Sequence, residues 1–545
     1  MRFTVAILSA SILMNSFQRQ SLADDWLPKE ALGFAKFSQL DSLSSDLLEK
    51  PFPKVYQTLA TRTQEKGFPF ASLTLVAIPG STNAIEFCLK FELSKDSENE
   101  DIIEFFEKAV DTELEEIESS NVDFRLVEHS QKDYVFAIAS RQVWIGPSRQ
   151  TVEQLIKRSL AANKDDNLFE RNRRLKMCLA APSSKEGTVR YCELFLDVYQ
   201  IEKSTGILAN AFVGDNAEQR KRLLALSEGV AFYGVVSLAD TEVARFACFD
   251  AFVLTTNPRL GVWRLFELDT PRDNEQLLTL KTPGDAGVFV LLNVDPQRIE
   301  EIGGQFLDEF VIPDGIDMSG SDLILNMLGM KPSTGALGQF FYSFGLNQNH
   351  MTLVRGTRFD PQLVHSRIAA IRNQATNLSV EPIDYEDGFS IEDRGIRLST
   401  LPIEGWILSG EHAECLRLRE LIFNRDSDDR LAMEAIIRHT NVEQKNIRVL
   451  AVVSLAGVKL EDALHLVAPR FLLDLDQRIT GLEKANYEGL NFDRRQRIVI
   501  DELNVLYQTN PPTITAIVAN ERNGIRFILG YEMKSKDDGA NRKPK

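Results

Sequence analysis

Histidine is scarce, with six residues in 545, and the five cysteines include no Cys-x-x-Cys pair, so a zinc centre of ordinary spacing is excluded. Tryptophan is scarcer still at four, which argues against a sugar-stacking cleft. Basic residues are outnumbered, 62 against 79 acidic, and a net charge of -17 repels phosphate backbones. The short basic runs Arg171 to Lys176 and Arg494 to Arg497 are flanked by acids and lack interleaved aromatics. They read as solvated helix faces, and no nucleic-acid partner is expected. Gly-x-Ser-x-Gly, Ser-x-x-Lys, His-Glu-x-x-His, the phosphate-binding Gly-x-x-x-x-Gly-Lys and the dinucleotide Gly-x-Gly-x-x-Gly are all missing. Most familiar hydrolytic and nucleotide chemistries leave with them. Beyond the N-terminus no apolar run reaches membrane length, so no integral membrane segment is expected in the mature chain.

What the chain does contain is itself, twice. Pro28-x-Glu30-Ala31-x-x-Phe34 returns as Pro283-x-Asp285-Ala286-x-x-Phe289, 255 residues on. Glu153 to Asp165 returns as Glu414 to Asp426, 261 on, with Leu155/Leu416, Arg158/Arg419, Leu160/Leu421 and Asn163/Asn424 also matching. Arg245-Phe246 returns as Arg526-Phe527, 281 on. The three matches are collinear, and that marks a duplicated architecture. The growing offset places extra residues in the second copy, within 468–508.

Residues 1–23 read as a secretory signal: Arg2, an apolar stretch from Phe3 to Met14, and the small-residue site Ser21-Leu22-Ala23. Copy one is expected over 24–270, a polar linker over 271–283, copy two over 284–533 and a mobile tail over 534–545. The exported product is placed in the periplasm or outside the cell.

Within each copy the pattern predicts short strands joined as antiparallel hairpins: Ala71 to Ile78 with Asn83 to Leu93, and Gln339 to Gly345 with Met351 to Arg358. Opening strands are expected at Ala31 to Leu40 and Gly287 to Val294, and further strands at Tyr134 to Ser140 and Gln142 to Ile145. An amphipathic helix is expected over Asp101 to Ile117, and paired helices at Thr151 to Leu160 and His412 to Phe423. Trp144-Ile145 and Trp406-Ile407 precede those paired helices as buried anchors of a strand-to-helix turn. The expected fold class is α+β, two tandem copies of an antiparallel sheet with helices packed on one face.

Copies that open with Pro-x-acidic-Ala-x-x-Phe and later carry a Trp-Ile strand, a charged helix and an Asn-x-Asp loop resemble a family of exported bacterial proteins. That family, of planctomycete and cyanobacterial type, is known only as a domain of unknown function with α+β units in tandem. The resemblance implies secretion and an α+β fold and brings no catalytic residues. Pro51 and Pro53 depart from its pattern by interrupting the opening helix.

Four local patterns carry candidate chemistry. Asp317, Ser319 and Ser321 match a metal-adhesion Asp-x-Ser-x-Ser, although Pro313-Asp314-Gly315 breaks the chain where a strand should lead in. Asn163 and Asp165, and again Asn424 and Asp426, place oxygen ligands at alternate positions as the start of a calcium loop does, without its later Gly and Glu. His412-Ala413-Glu414-Cys415 sets an imidazole near a thiol. Cys178 and Cys192, on strands Leu175 to Ala181 and Thr188 to Val198, would face each other across a hairpin, a geometry that allows a disulfide, the alternative being two free buried thiols. Calcium is therefore the one cofactor considered. The function expected is a non-enzymatic binding or scaffold protein of the cell envelope, its partner an envelope protein or polymer. The alternative is a secreted hydrolase with a dispersed Asp/Glu site.

Overall fold

A computed structural model describes residues 26–38, 70–80, 84–94, 115–117, 125–128, 135–139, 141–160, 168–179, 189–212, 229–240, 244–255, 287–293, 336–346, 351–374, 380–383, 388–393, 395–403, 405–423, 440–454 and 513–534, with 217, 220, 221, 224, 227 and 264. The fold is mostly antiparallel sheet, with few and mainly short helices among the described residues. This corrects the α+β expectation of two tandem sheets with helices on one face. The physical reason lies in strands such as Phe70–Pro79 and Gly287–Asn293, which carry apolar side chains toward both faces and so demand cover on both. By internal contacts the chain divides into two units. The first holds the described residues up to Asp240 together with Ala247–Leu254, and the second holds Ala244–Phe246 and the described residues from Thr255 onward.

The first unit contains β1 (Gly33–Ser38), β2 (Phe70–Pro79), β3 (Ile85–Leu93), β4 (Glu115–Ile117), β5 (Arg125–Glu128), β6 (Val135–Ala139), β7 (Gln142–Gly146), β8 (Val189–Leu196), β9 (Ala231–Asp240) and most of β10 (Ala244–Leu254). Their hydrogen-bonded order is β4-β5-β6-β7-β3-β2-β1-β8-β9-β10. Three helices cover one face: α1 (Arg149–Leu160), α2 (Leu168–Arg171) and α3 (Arg173–Leu179). They bury Val152, Leu155, Ile156, Leu168, Leu175 and Cys178 against Phe34, Val76, Cys88, Trp144 and Phe195. Each such Leu, Phe or Val contributes about 1.5–3 kcal/mol on leaving water. Ser148 caps α1 by accepting the Thr151 N–H at 3.2 Å. The other face carries a second cluster of Phe70, Leu93, Phe136, Ile138, Val143 and Ile145.

The second unit contains β11 (Gly287–Asn293), β12 (Ala336–Leu346), β13 (Met351–Phe359), β14 (Val380–Pro382), β15 (Phe389–Asp393), β16 (Ile396–Ile403), β17 (Trp406–Glu411), β18 (Ile447–Ser454), β19 (Thr513–Glu521) and β20 (Gly524–Lys534). Their order, β14-β15-β16-β17-β13-β12-β11-β18-β19-β20, reproduces the first unit strand for strand. Here helices lie on both faces. The helix α6 (Pro361–Gln374) packs Val364 and Ile368 on the face bearing Phe389 and Ile407. The helix α7 (His412–Phe423) lies on the opposite face, where its His412 Nδ1 stands 2.6 Å from the Ser399 side-chain Oγ. Residues 399 and 407 belong to alternate positions of the β16–β17 ladder, so the two helices cannot share a face.

The sequence matches fall on corresponding elements: Phe34 and Phe289 on β1 and β11, the charged helices on α1 and α7, the Arg-Phe pairs on β10 and β20. Glu30 and Arg158, members of two separate matches, meet at 3.3 Å, which ties the two motifs together. Two local expectations need correction. Of the strand expected over Leu175 to Ala181, the described part, 175–179, is helical, because Asn172 Oδ1 accepts the Leu175 N–H at 2.9 Å and starts α3, burying Leu175 and Cys178 at helical spacing. Glu115–Ile117 forms β4 instead of ending a helix, while 101–114 lies outside the described residues. Residues 1–23, 271–283, 468–508 and 535–545 also lie outside them.

Candidate functional site

Side chains directly opposite one another across neighbouring strands share a face, so a ladder can be followed as a row. From Phe34 the row runs through Val76 to Cys88, beside which Gly146 sits with its α-carbon face against Cys88 and Val152. From Phe289 it runs through Ser343 and Val354 to Gly410. Both rows start at the matched phenylalanine and end at a glycine, which aligns the two sheets. The next row on the same face separates them. In the first unit it reads Glu193, Lys36, Thr74, Lys90, Trp144. In the second it reads Leu450, Leu291, Phe341, Gly356, Leu408.

Lys90 is 4 % exposed. Its Nζ donates to Glu92 Oε1 at 2.8 Å and stands 5.2 Å from the Trp26 ring and 5.5 Å from the Trp144 ring, which meet edge to face at 4.8 Å. Ser72 Oγ donates to the other Glu92 oxygen at 2.9 Å. Burial pushes the Glu92 carboxyl up, but the Lys90 charge, the bonds from Lys90 and Ser72 and the Lys36 charge outweigh it and hold the group below its ordinary value. Trp144 Nε1, buried in the same cluster, has no hydrogen-bond partner among the described residues. At the far end of the row Glu193 pairs with Arg190 at 3.1 Å.

Phe341 and Leu408, by contrast, are buried beside Leu291, Leu450 and Leu401. Gly356 leaves room for the Phe341 ring, since an added Cβ there would collide with it. The second unit does keep a cation beside its tryptophan, one step along: Arg358 faces Trp406 across the β13–β17 ladder at 6.0 Å and donates to Gln339 Oε1 at 2.6 Å. The Trp-Ile pairs that match in sequence are thus offset by two residues in the ladder, and Leu408 occupies the place of Trp144.

The sequence-level candidates fare differently. Asp317, Ser319, Ser321, Asn163, Asp165, Asn424 and Asp426 lie outside the described residues, and no group of three metal-ligating side chains occurs among those described. Cys178 lies on α3 and Cys192 on β8 opposite Phe37 and Val236, so the hairpin premise for their disulfide is gone; both are free and buried. Burial pushes the thiols of Cys88, Cys178, Cys192 and Cys415 up to about 12, which removes them as nucleophiles. His412 does not serve Cys415: its Nδ1 lies 2.6 Å from Ser399 Oγ, and burial, then the Arg397 charge, holds its pKa down. Two of the buried carboxylates, Asp197 and Glu202, serve as caps. Asp197 accepts from the Gln200 N–H and from Asn172 and Arg174, starting the helix α4 (Val198–Thr205), and Glu202 accepts the Ala209 N–H of α5 (Ile207–Phe212).

Lys36, Lys90 and Glu92 were not singled out from sequence. In β3 the alternation of Phe87, Leu89, Phe91 with Cys88, Lys90, Glu92 reads as one apolar and one solvated face, whereas here the polar side lies under helices. The usable signal is Cys88 on the same side as the charges, a buried type marking the covered face. Comparison with family models, with curated proteins and with solved structures gives no match to this chain.

Proposed function

We propose that the chain is an exported, non-enzymatic binding or scaffold protein of the cell envelope, and that the charged row of the first unit is where it engages its partner. One observation carries this reading: the second unit fills the same row with Leu, Phe and Gly, and Gly356 stands at the place of Lys90. The sheet therefore does not need Lys90 in order to fold. Keeping an ammonium out of water costs several kcal/mol unless it is well paired, and an apolar replacement is often neutral or stabilising. A group retained against that cost, beside a tryptophan N–H with no acceptor among the described residues, fits recognition better than scaffolding. Among the described residues, the buried carboxylates of Asp197 and Glu202 are engaged as helix caps.

Co-sedimentation of the full chain with insoluble envelope polymer, paired with an assay for released soluble fragments, tests the reading. Wild type is expected to sediment and to release nothing, and Lys90→Met, folded, to sediment about tenfold less, the effect of one lost charge-assisted contact. Steady release of fragments by wild type would replace the binding reading with the hydrolase one. A Lys90→Met chain that melts far below wild type would show that the row serves the fold.

A further inference from the structure

We infer that the partly exposed face of the second unit is a trough for a long-chain carboxylate, with the apolar tail laid across the strands and the head at Arg355. The site lies in the other unit from the charged row and stands independently of the reading given to that row. One row of the ladder defines it: Leu529, Ala516, Ala451, Val290, Tyr342 and Arg355, taken in turn from β20, β19, β18, β11, β12 and β13. Neighbouring strands stand about 4.8 Å apart, so the row runs about 24 Å, room for an extended acyl chain. Its middle is lowered by the two adjacent alanines. Ile514, Val453 and Val288 line one side of them, and Val518, Val449 and Leu292 line the other. Water reaches this face: Leu529 is 48 % exposed and the alanines and both walls are partly exposed, whereas Leu450, Val452 and Ile517, which alternate with them, are buried. An apolar surface this broad left in water marks an interaction site.

Charge fixes which end takes the head. Arg355 closes the row and makes no hydrogen bond or ion pair among the described residues. Burial, working against the Arg355 charge, pushes the Tyr342 phenol up, so its neighbour stays neutral and does not compensate the guanidinium. Glu411 follows Gly410 on β17 and so stands beside Leu353, a diagonal away from Arg355 and not paired with it. A guanidinium fork in this position suits a carboxylate, which it can hold through two parallel bonds. The first unit shows that the fold needs neither the trough nor the cation. There the same row reads Gly234, Leu194, Ala35, Leu75 and Leu89. The Phe249 ring fills the space over Gly234, Leu194 takes the place of Ala451, and Leu89 takes the place of Arg355.

Equilibrium dialysis of the full chain against hexadecanoate, with hexadecanol as the uncharged probe, tests this. Wild type is expected to bind hexadecanoate saturably and hexadecanol about tenfold more weakly, the effect of one charge-assisted contact. Arg355→Met should weaken hexadecanoate about tenfold and leave hexadecanol unchanged. Ala451→Leu combined with Ala516→Leu should fill the trough and weaken both probes about tenfold or more at an unchanged melting temperature. If that double variant fails to fold, Ala451→Leu alone takes its place, with the same direction of loss expected. Equal hexadecanoate binding in wild type and Arg355→Met would show unspecific apolar adhesion and overturn the inference. Binding that ignores the added leucines, or no saturable binding at all, would overturn it too. A chain that sediments as a dimer, split by Leu529→Ser, would give the face to a second copy and equally end the idea.

Discussion

The same row of the same sheet is charged in one unit and aliphatic in the other. Lys36, Thr74, Lys90 and Trp144 stand where Leu291, Phe341, Gly356 and Leu408 stand. Strand order, the helix that follows the matched ladder (α1 and α7) and the flanking glycine are shared, so the difference is not a consequence of strand topology. The second unit serves as an internal control, showing what the fold requires when nothing else is asked of the row. Ladder register, more than sequence similarity, makes that control legible, because the tryptophans that match in sequence occupy places two residues apart.

The largest expected effect separates the covered faces from solvent. Thiols raised to about 12 from 9.0 should react with iodoacetamide at pH 8 about a thousandfold slower in the native chain than after unfolding. Mass spectrometry of trapped sites will show whether Cys88, near the charged row, and Cys415, in the second unit, are protected alike. Faster labelling at Cys88 alone would mean that the charged row admits solvent.

Next in size is transplantation. Leu291→Lys puts the first unit's charge into the second unit without Glu92 or the second tryptophan. An unpaired buried ammonium should destabilise the second unit by about 4 kcal/mol in denaturant unfolding. Tolerance of Leu291→Lys would break the comparison, since the aliphatic row would then not need to be apolar.

Acid titration probes the pair itself. The Glu92 carboxyl is held below its ordinary value of 4.5, so its contribution is complete above that range and is lost as pH falls through the lowered value. Glu92→Gln should remove that part of the acid limb, no more than about 1 kcal/mol at a side chain this exposed. Unfolding midpoints between pH 2 and 6 measure it; identical acid limbs would mean the pair contributes nothing.

The smallest effect is expected outside the covered faces. Phe87 and Leu353 neighbour Cys88 and Val354, occupy equivalent places on the opposite face, and are 50 % and 44 % exposed. Phe87→Ser and Leu353→Ser should each change stability by about 0.5 kcal/mol or less. A larger loss at one of them would reveal a difference between the units on that face too.

By itself the sequence determined the duplication, the hairpins β2–β3 and β12–β13, the opening strands and the helices α1 and α7, because each rests on local periodicity, turn length or repetition. The metal-like and calcium-like patterns were equally local, but they fall outside the described residues. Helices on both faces, α3 in place of a strand and the separation of Cys178 from Cys192 were decided by tertiary structure, since strand alternation says which residues share a face and not which face is covered. The charged row is the clearest case. Lys90 and Glu92 alternate with apolar neighbours as solvent-facing residues do, and only the tertiary packing of Trp26 and Trp144 buries Lys90 while leaving Glu92 partly exposed.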